Sequence, residues 1–218
     1  MKIKFQLTYV CLMILINNAA AITEKYMDQM CGETLDLDLY ETVRLKLTAQ
    51  AVYKPNMLCH LTIKTNSFYQ IMFYFKSFAL ESMCYNDWLE LHDGKYSASA
   101  FISGMTPHQC GTYKRTTVRN TSGKYLHLKF QSDDTIQKSG FDMILTKYHN
   151  GICYTDEYAC SNGHCIANNI SCSGFNPCGD YSDCGNNVIS GSSSRVFNVG
   201  GIIGGVISAV TALVIIVI

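Results

Sequence analysis

Between Cys31 and Tyr148 the chain is built of short runs in which apolar and polar residues alternate. These are LDLDLYETVRLKL (35–47), CHLTIKT (59–65), YQIMFYF (69–75), WLELHDG (88–94), KYLHLKF (124–130) and FDMILTKY (141–148). Period-two alternation with many β-branched and aromatic residues predicts half-buried strands. Asp93-Gly94 and the Ser-Gly pairs at 103, 122 and 139 supply turn chemistry between the runs. No comparably long segment in this region carries a 3.6-residue apolar period. Strands without helices to cover a parallel sheet predict two antiparallel sheets packed face to face, an all-β sandwich. The run FALESMCYNDWLEL (78–91) stands out, because Glu81, Asp87 and Glu90 interrupt an otherwise core-like segment around Cys84.

Two apolar runs lie outside this pattern. The first, Phe5–Ile16, follows Lys2 and Lys4 and precedes Ala19–Ala21, the arrangement of a secretory signal peptide spanning residues 1–21. It is shorter than the ~20 residues that span a bilayer. The second, VGGIIGGVISAVTALVIIVI (199–218), is an uncharged run long enough to cross one, and no Lys or Arg follows it. The polar stretch at 185–198 before it contains many small residues. Two readings stay open: a transmembrane helix with GxxxG spacing at Gly200/Gly204 and Gly201/Gly205, or the removed tail of a GPI-anchor signal. Either puts the protein at the cell surface, attached to the plasma membrane with its folded part outside.

Export changes the meaning of the cysteines. Cys11 lies in the signal, leaving ten: Cys31, Cys59, Cys84, Cys110, Cys153, Cys160, Cys165, Cys172, Cys178 and Cys184. An even number in an oxidising compartment predicts disulfides. Six of them crowd into residues 153–184, so a small bridge-held module is expected to follow the sandwich.

The order of landmarks in the larger region resembles the CUB domain family across residues 31–148. Tyr53 stands shortly before Cys59. CHLTI, IMFYFKSFALE, CYNDWLELHDG, Cys110-Gly111, YLHLKFQSDD and Ser139-Gly140-Phe141 follow in register. Leu61 departs from the pattern, where an aromatic is usual. The resemblance implies a jelly-roll β-sandwich with bridges Cys31–Cys59 and Cys84–Cys110. It also implies a Ca²⁺ site at one end of the sandwich. Carried over by position, Glu81, Asp87 and Asp133 would be the metal ligands, supported by Tyr53, Asp134 and Thr135. Carboxylates on separate loops suit a hard cation that wants six to eight oxygens. In this family the loaded site receives a lysine from an extracellular or cell-surface protein partner.

Residues 153–184, with CSNGHCI and SDC, resemble an LDL-receptor class A repeat. Six cysteines alone allow fifteen pairings. The resemblance implies Cys153–Cys165, Cys160–Cys178 and Cys172–Cys184. Its Ca²⁺ cage does not carry over. Ser173, Pro177 and Cys184 stand where acids are required, leaving Asp183 with Asp180 nearby, so this part reads as a spacer or contact module.

The remaining signals narrow the function. Asn120 and Asn169 open N-glycosylation sequons. The six histidines are scattered along the sequence without HExxH spacing, and no nucleophile motif is present, which argues against an enzyme. Seventeen basic residues balance seventeen acidic ones, which argues against nucleic acid. The expectation is a calcium-assisted receptor, co-receptor or adhesion protein. The rivals are the non-catalytic part of an exported protease, binding of a lipoprotein-type ligand by the second module, and a structural surface coat.

Overall fold

The computed structural model describes residues 22–114 and 117–184. The expected signal peptide, stalk and C-terminal apolar segment lie outside the described residues. Among those described, no helix is long and apolar enough to cross a membrane.

Among the described residues twelve strands form two sheets. They are β1 (Thr23–Tyr26), β2 (Thr34–Asp36), β3 (Thr42–Lys46), β4 (Leu58–Lys64), β5 (Gln70–Ala79), β6 (Trp88–His92), β7 (Thr112–Tyr113), β8 (Arg119–Asn120), β9 (Tyr125–Gln131), β10 (Gly140–Asn150), β11 (Glu157–Ala159) and β12 (His164–Ala167). The four-stranded sheet runs β2-β4-β9-β6. The other runs β1-β3-β10-β5, with β7 and β8 on the free edge of β5 and β12-β11 joined to the far end of β10.

Alternation decides which side chains meet. On β4, Cys59, Leu61 and Ile63 point inward; on β9, Leu126, Leu128 and Phe130; on β6, Leu89 and Leu91. They pack in one core with Phe73, Phe75 and Phe78 of β5 and Phe141, Met143 and Leu145 of β10. Leu61 is wholly buried in this core, so the missing aromatic is a change of packing within the same layer.

Three details differ from the sequence expectation. The run 35–47 is not one strand. Asp36 accepts the Asp38 N–H, residues Leu37–Leu39 form a 3₁₀ turn, and Glu41 takes a positive φ of 54°. The turn sends β2 to one sheet and β3 to the other, each preserving alternation on its own side. The sheets are not wholly antiparallel either, since β1 pairs β3 and β2 pairs β4 in parallel at the margins. Finally, β1 precedes Cys31 and extends the sandwich beyond its expected start.

Among the described residues there are five disulfides: Cys31–Cys59, Cys84–Cys110, Cys153–Cys165, Cys160–Cys178 and Cys172–Cys184. The small C-terminal part is continuous with the sandwich. His149 and Asn150 at the end of β10 pair with Cys165 and His164 of β12. A second core joins Met72 and Tyr148 to Cys160, Ile166, Ile170 and Cys178.

Candidate metal centre

Three loops meet at one end of the sandwich. The first, between β3 and β4, brings Tyr53. It is fastened to the segment after β9 by Tyr53 N–H to Lys138 O at 3.0 Å, Asn56 N–H to Asp133 O at 2.7 Å and Ser132 Oγ–H to Lys54 O at 2.9 Å. The second, between β5 and β6, brings Glu81 and Asp87. Leu80 and Glu81 exchange backbone hydrogen bonds with Gly111, beside the Cys84–Cys110 bridge. The third, after β9, brings Asp133.

One carboxylate oxygen from each of Glu81, Asp87 and Asp133 lies within 4.8 Å of the other two. Glu81 is 3 % exposed and Asp87 fully buried, whereas Asp133 is half-buried at the rim. Asp87 is held from both sides. The Tyr53 hydroxyl donates to its Oδ2, and the Asp133 N–H donates to its Oδ1 at 2.8 Å. The Tyr53 hydroxyl also accepts the Glu81 N–H at 3.3 Å, and its ring packs edge-on against Phe130. Burial and the Asp87 carboxylate push the Tyr53 phenol well above its ordinary pKa, so it stays a donor. Asn86 Nδ2 contacts both Glu81 oxygens at 3.2 Å. Thr135 donates to Asp133 Oδ1 through its N–H at 2.8 Å and its hydroxyl at 3.2 Å. Asp134 is exposed and stands outside the three-carboxylate group.

The donor set fits a hard divalent cation. Oxygens that share a Ca²⁺ at about 2.3–2.6 Å lie at most about 5 Å apart, which this group satisfies. Among the described residues no ion pair involves any of the three acids. Two buried carboxylates with hydrogen bonds but no counter-charge leave room for a cation to offset their mutual repulsion.

Elsewhere, Asp183 is buried and accepts the Cys172 N–H at 2.9 Å, while burial raises its pKa. Asp180 accepts from Ser182 N–H and Oγ–H. Both acids therefore serve turns of the small part. Asn120 and Asn169 are exposed. A second cluster, His149, Glu157 and Cys165, has its sulfur committed to the bridge with Cys153. His149 Nε2 and Glu157 Oε2 are instead a 2.8 Å pair at the junction.

Sequence reading missed one gathering altogether. Four of the six histidines, His60, His92, His108 and His127, converge on the outer face of the β2-β4-β9-β6 sheet with Glu90 and Lys129. The available signal was positional: His60, His92 and His127 occupy the polar beats of three alternating runs, and only the strand register reveals that they are neighbours.

Several known proteins resemble this chain. Tolloid-like protein 2 of Homo sapiens is 31 % identical over 110 residues, covering 50 % of this chain and 10 % of that protein. Cubilin homolog of Drosophila melanogaster is 36 % identical over 94 residues, covering 42 % of this chain and 2 % of its own length. This chain thus spans a tenth or less of either relative. A crystal structure of the MASP-1 CUB2 domain bound to Ca²⁺ is 15 % identical with a TM-score of 0.39, covering 53 % of this chain and 98 % of that one. The CUB domain model matches residues 31–145, more than half of the sequence, and the chain belongs to the CUB domain family.

Proposed function

We propose that this is a cell-surface binding protein that uses Glu81, Asp87 and Asp133 at the end of its CUB domain to recognise another extracellular protein with the help of Ca²⁺. The observation that carries this reading is the convergence of three carboxylates, two of them buried, without a cationic partner among the described residues. Asp87 is the anchor, its orientation set by Tyr53 and by the Asp133 N–H. Glu81 closes the buried side. Asp133, half-buried at the rim, is the carboxylate that would meet the ammonium of a partner lysine. Ca²⁺ would supply the charge that lets the three acids stay ionised together and would order their loops.

This reading has the C-terminal segment 199–218 attach the protein to the plasma membrane, as a spanning helix or as a GPI signal. It has residues 153–184 act as a contact module resembling a class A repeat.

Thermal unfolding of the purified full chain tests the ion. At a Ca²⁺ concentration about 100 times Kd, linkage predicts stabilisation by about 2.7 kcal/mol. Asp87→Ala and Asp133→Ala should abolish the shift. Identical melting in Ca²⁺ and in chelator would remove calcium from the mechanism. Capture of partners from cell-surface extract, with and without Ca²⁺, tests recognition; acetylating the partner's lysines should release it. Cleavage by a GPI-specific phospholipase would free a GPI-anchored chain and leave a spanning one in the membrane.

A further inference from the structure

The outer face of the β2-β4-β9-β6 sheet carries a second constellation of ligand atoms with different chemistry. Strand register sets His60, Lys129 and Glu90 in one row across β4, β9 and β6, and Thr62, His127 and His92 in the next. His127 is therefore flanked on both sides, and it is 7 % exposed. His60 is half-buried beside it.

Hydrogen bonding favours one tautomer of His127. The Thr62 hydroxyl donates to Lys95 O at 3.3 Å, and a carbonyl can only accept. The hydroxyl oxygen then accepts from His127 Nδ1–H at 3.1 Å. The His127 Nε2 lone pair then accepts His60 Nδ1–H at 3.2 Å, and shifting that proton to His60 Nε2 leaves two lone pairs facing each other with no net loss of a proton. Two nitrogens bound at about 2.0–2.1 Å to one tetrahedral ion lie roughly 3.3 Å apart, close to the separation found here. An imidazole ligand whose second nitrogen donates to a neighbouring oxygen is the usual arrangement at such metals.

We propose that His60 Nδ1 and His127 Nε2 bind a borderline divalent cation of the Zn²⁺ class, with Thr62 orienting His127. Imidazole nitrogens favour Zn²⁺ over Ca²⁺, so the site is chemically distinct from the carboxylate centre and independent of it. Burial, the neighbouring histidines and Lys129 hold the His127 pKa down to about 4, and burial lowers that of His60. Both rings are thus neutral, as ligands must be, without losing a proton at neutral pH. The nearby charge of Lys129 is offset by Glu90, 3.6 Å away. Among the described residues no further Asp, Glu, Cys or His completes a compact three-ligand group with this pair, so water or a donor from a partner fills the remaining positions.

Titration of ZnCl₂ into the purified full chain by calorimetry, with excess Ca²⁺ to keep the carboxylate centre out of the readout, should give one Zn²⁺ per chain. Uptake should persist in Asp87→Asn and disappear in His60→Ala, whose ring is only half-buried, and in His127→Gln. Thr62→Val should weaken it roughly 10–100-fold, the usual effect of losing an orienting partner. Anomalous scattering at the zinc edge from crystals of the unaltered protein should place the ion between the two rings, a result that needs no variant to fold. Absence of Zn²⁺ uptake, undiminished uptake by folded His60→Ala, or an anomalous peak at Glu81, Asp87 and Asp133 instead would each overturn the proposal.

Discussion

At the scale of single residues, the molecule treats buried polar groups according to what surrounds them. Tyr53 is buried yet spends its hydroxyl on both Asp87 and the Glu81 N–H. Tyr53→Phe keeps the ring against Phe130 but leaves Asp87 Oδ2 without that donor. The expected loss is about 1–3 kcal/mol of stability in the absence of Ca²⁺, measured by urea unfolding. His127 illustrates the opposite case. Folded, its pKa is held near 4; unfolded, it returns to the ordinary imidazole value of 6.5. Unfolding therefore takes up a proton as pH falls from about 6.5 to about 4. The stability present above this window is lost across it, at up to about 1.4 kcal/mol per pH unit. The groups that set the shift are burial first, then His60, His92 and Lys129, opposed by Glu90. Urea midpoints between pH 7 and 4 should fall less steeply in His127→Gln. An unchanged pH slope would show that His127 is not the group responsible.

At the scale of elements, alternation was legible because each strand has one face in a common core. Runs 59–65, 69–75, 88–94, 124–130 and 141–148 all fall on strands, and their apolar beats are the core residues. The break inside 35–47 was not legible. An Asp-Leu-Asp-Leu sequence has the same period whether it continues as a strand or tightens at Leu37, and the outcome depends on which sheet offers a partner for Thr42–Lys46. The three acids were found through family register rather than periodicity, since nothing local says that residues 81, 87 and 133 meet. The histidine face stayed hidden for the same reason. Gly140 marks a further constraint at the start of β10. It sits at φ +81° with room for no Cβ, which would lie 2.7 Å from Leu47 Cβ. Gly140→Ala combines backbone strain with a clash against the core. It should destabilise the protein by more than about 1 kcal/mol, readable in a denaturant midpoint.

At the scale of the whole described molecule, β10 links the sandwich to the small C-terminal part. Its first part is clamped between β3 and β5, and its last two residues pair with β12. Around that seam Tyr74 Oη accepts the Asn176 N–H at 3.1 Å, and Tyr69 donates to Glu157, which also pairs with His149. Met72 and Tyr148 share a buried cluster with Ile166 and Ile170. The small part has too few apolar residues for a core of its own, so it borrows the outer surface of the larger sheet. Folding of the two should therefore be coupled. The single tryptophan, Trp88, lies on β6 in the opposite sheet and reports only on the sandwich. Ile170→Ala removes side-chain volume from the shared cluster, a change that typically costs about 2–5 kcal/mol in a buried site. If the parts fold as one unit, the Trp88 fluorescence transition should shift to lower temperature together with the circular-dichroism transition. A Trp88 midpoint that stays in place while the dichroism signal splits would mean that the disulfide-held part unfolds alone. In that case the seam along β10 would be a contact between independent bodies, not the continuation of one fold.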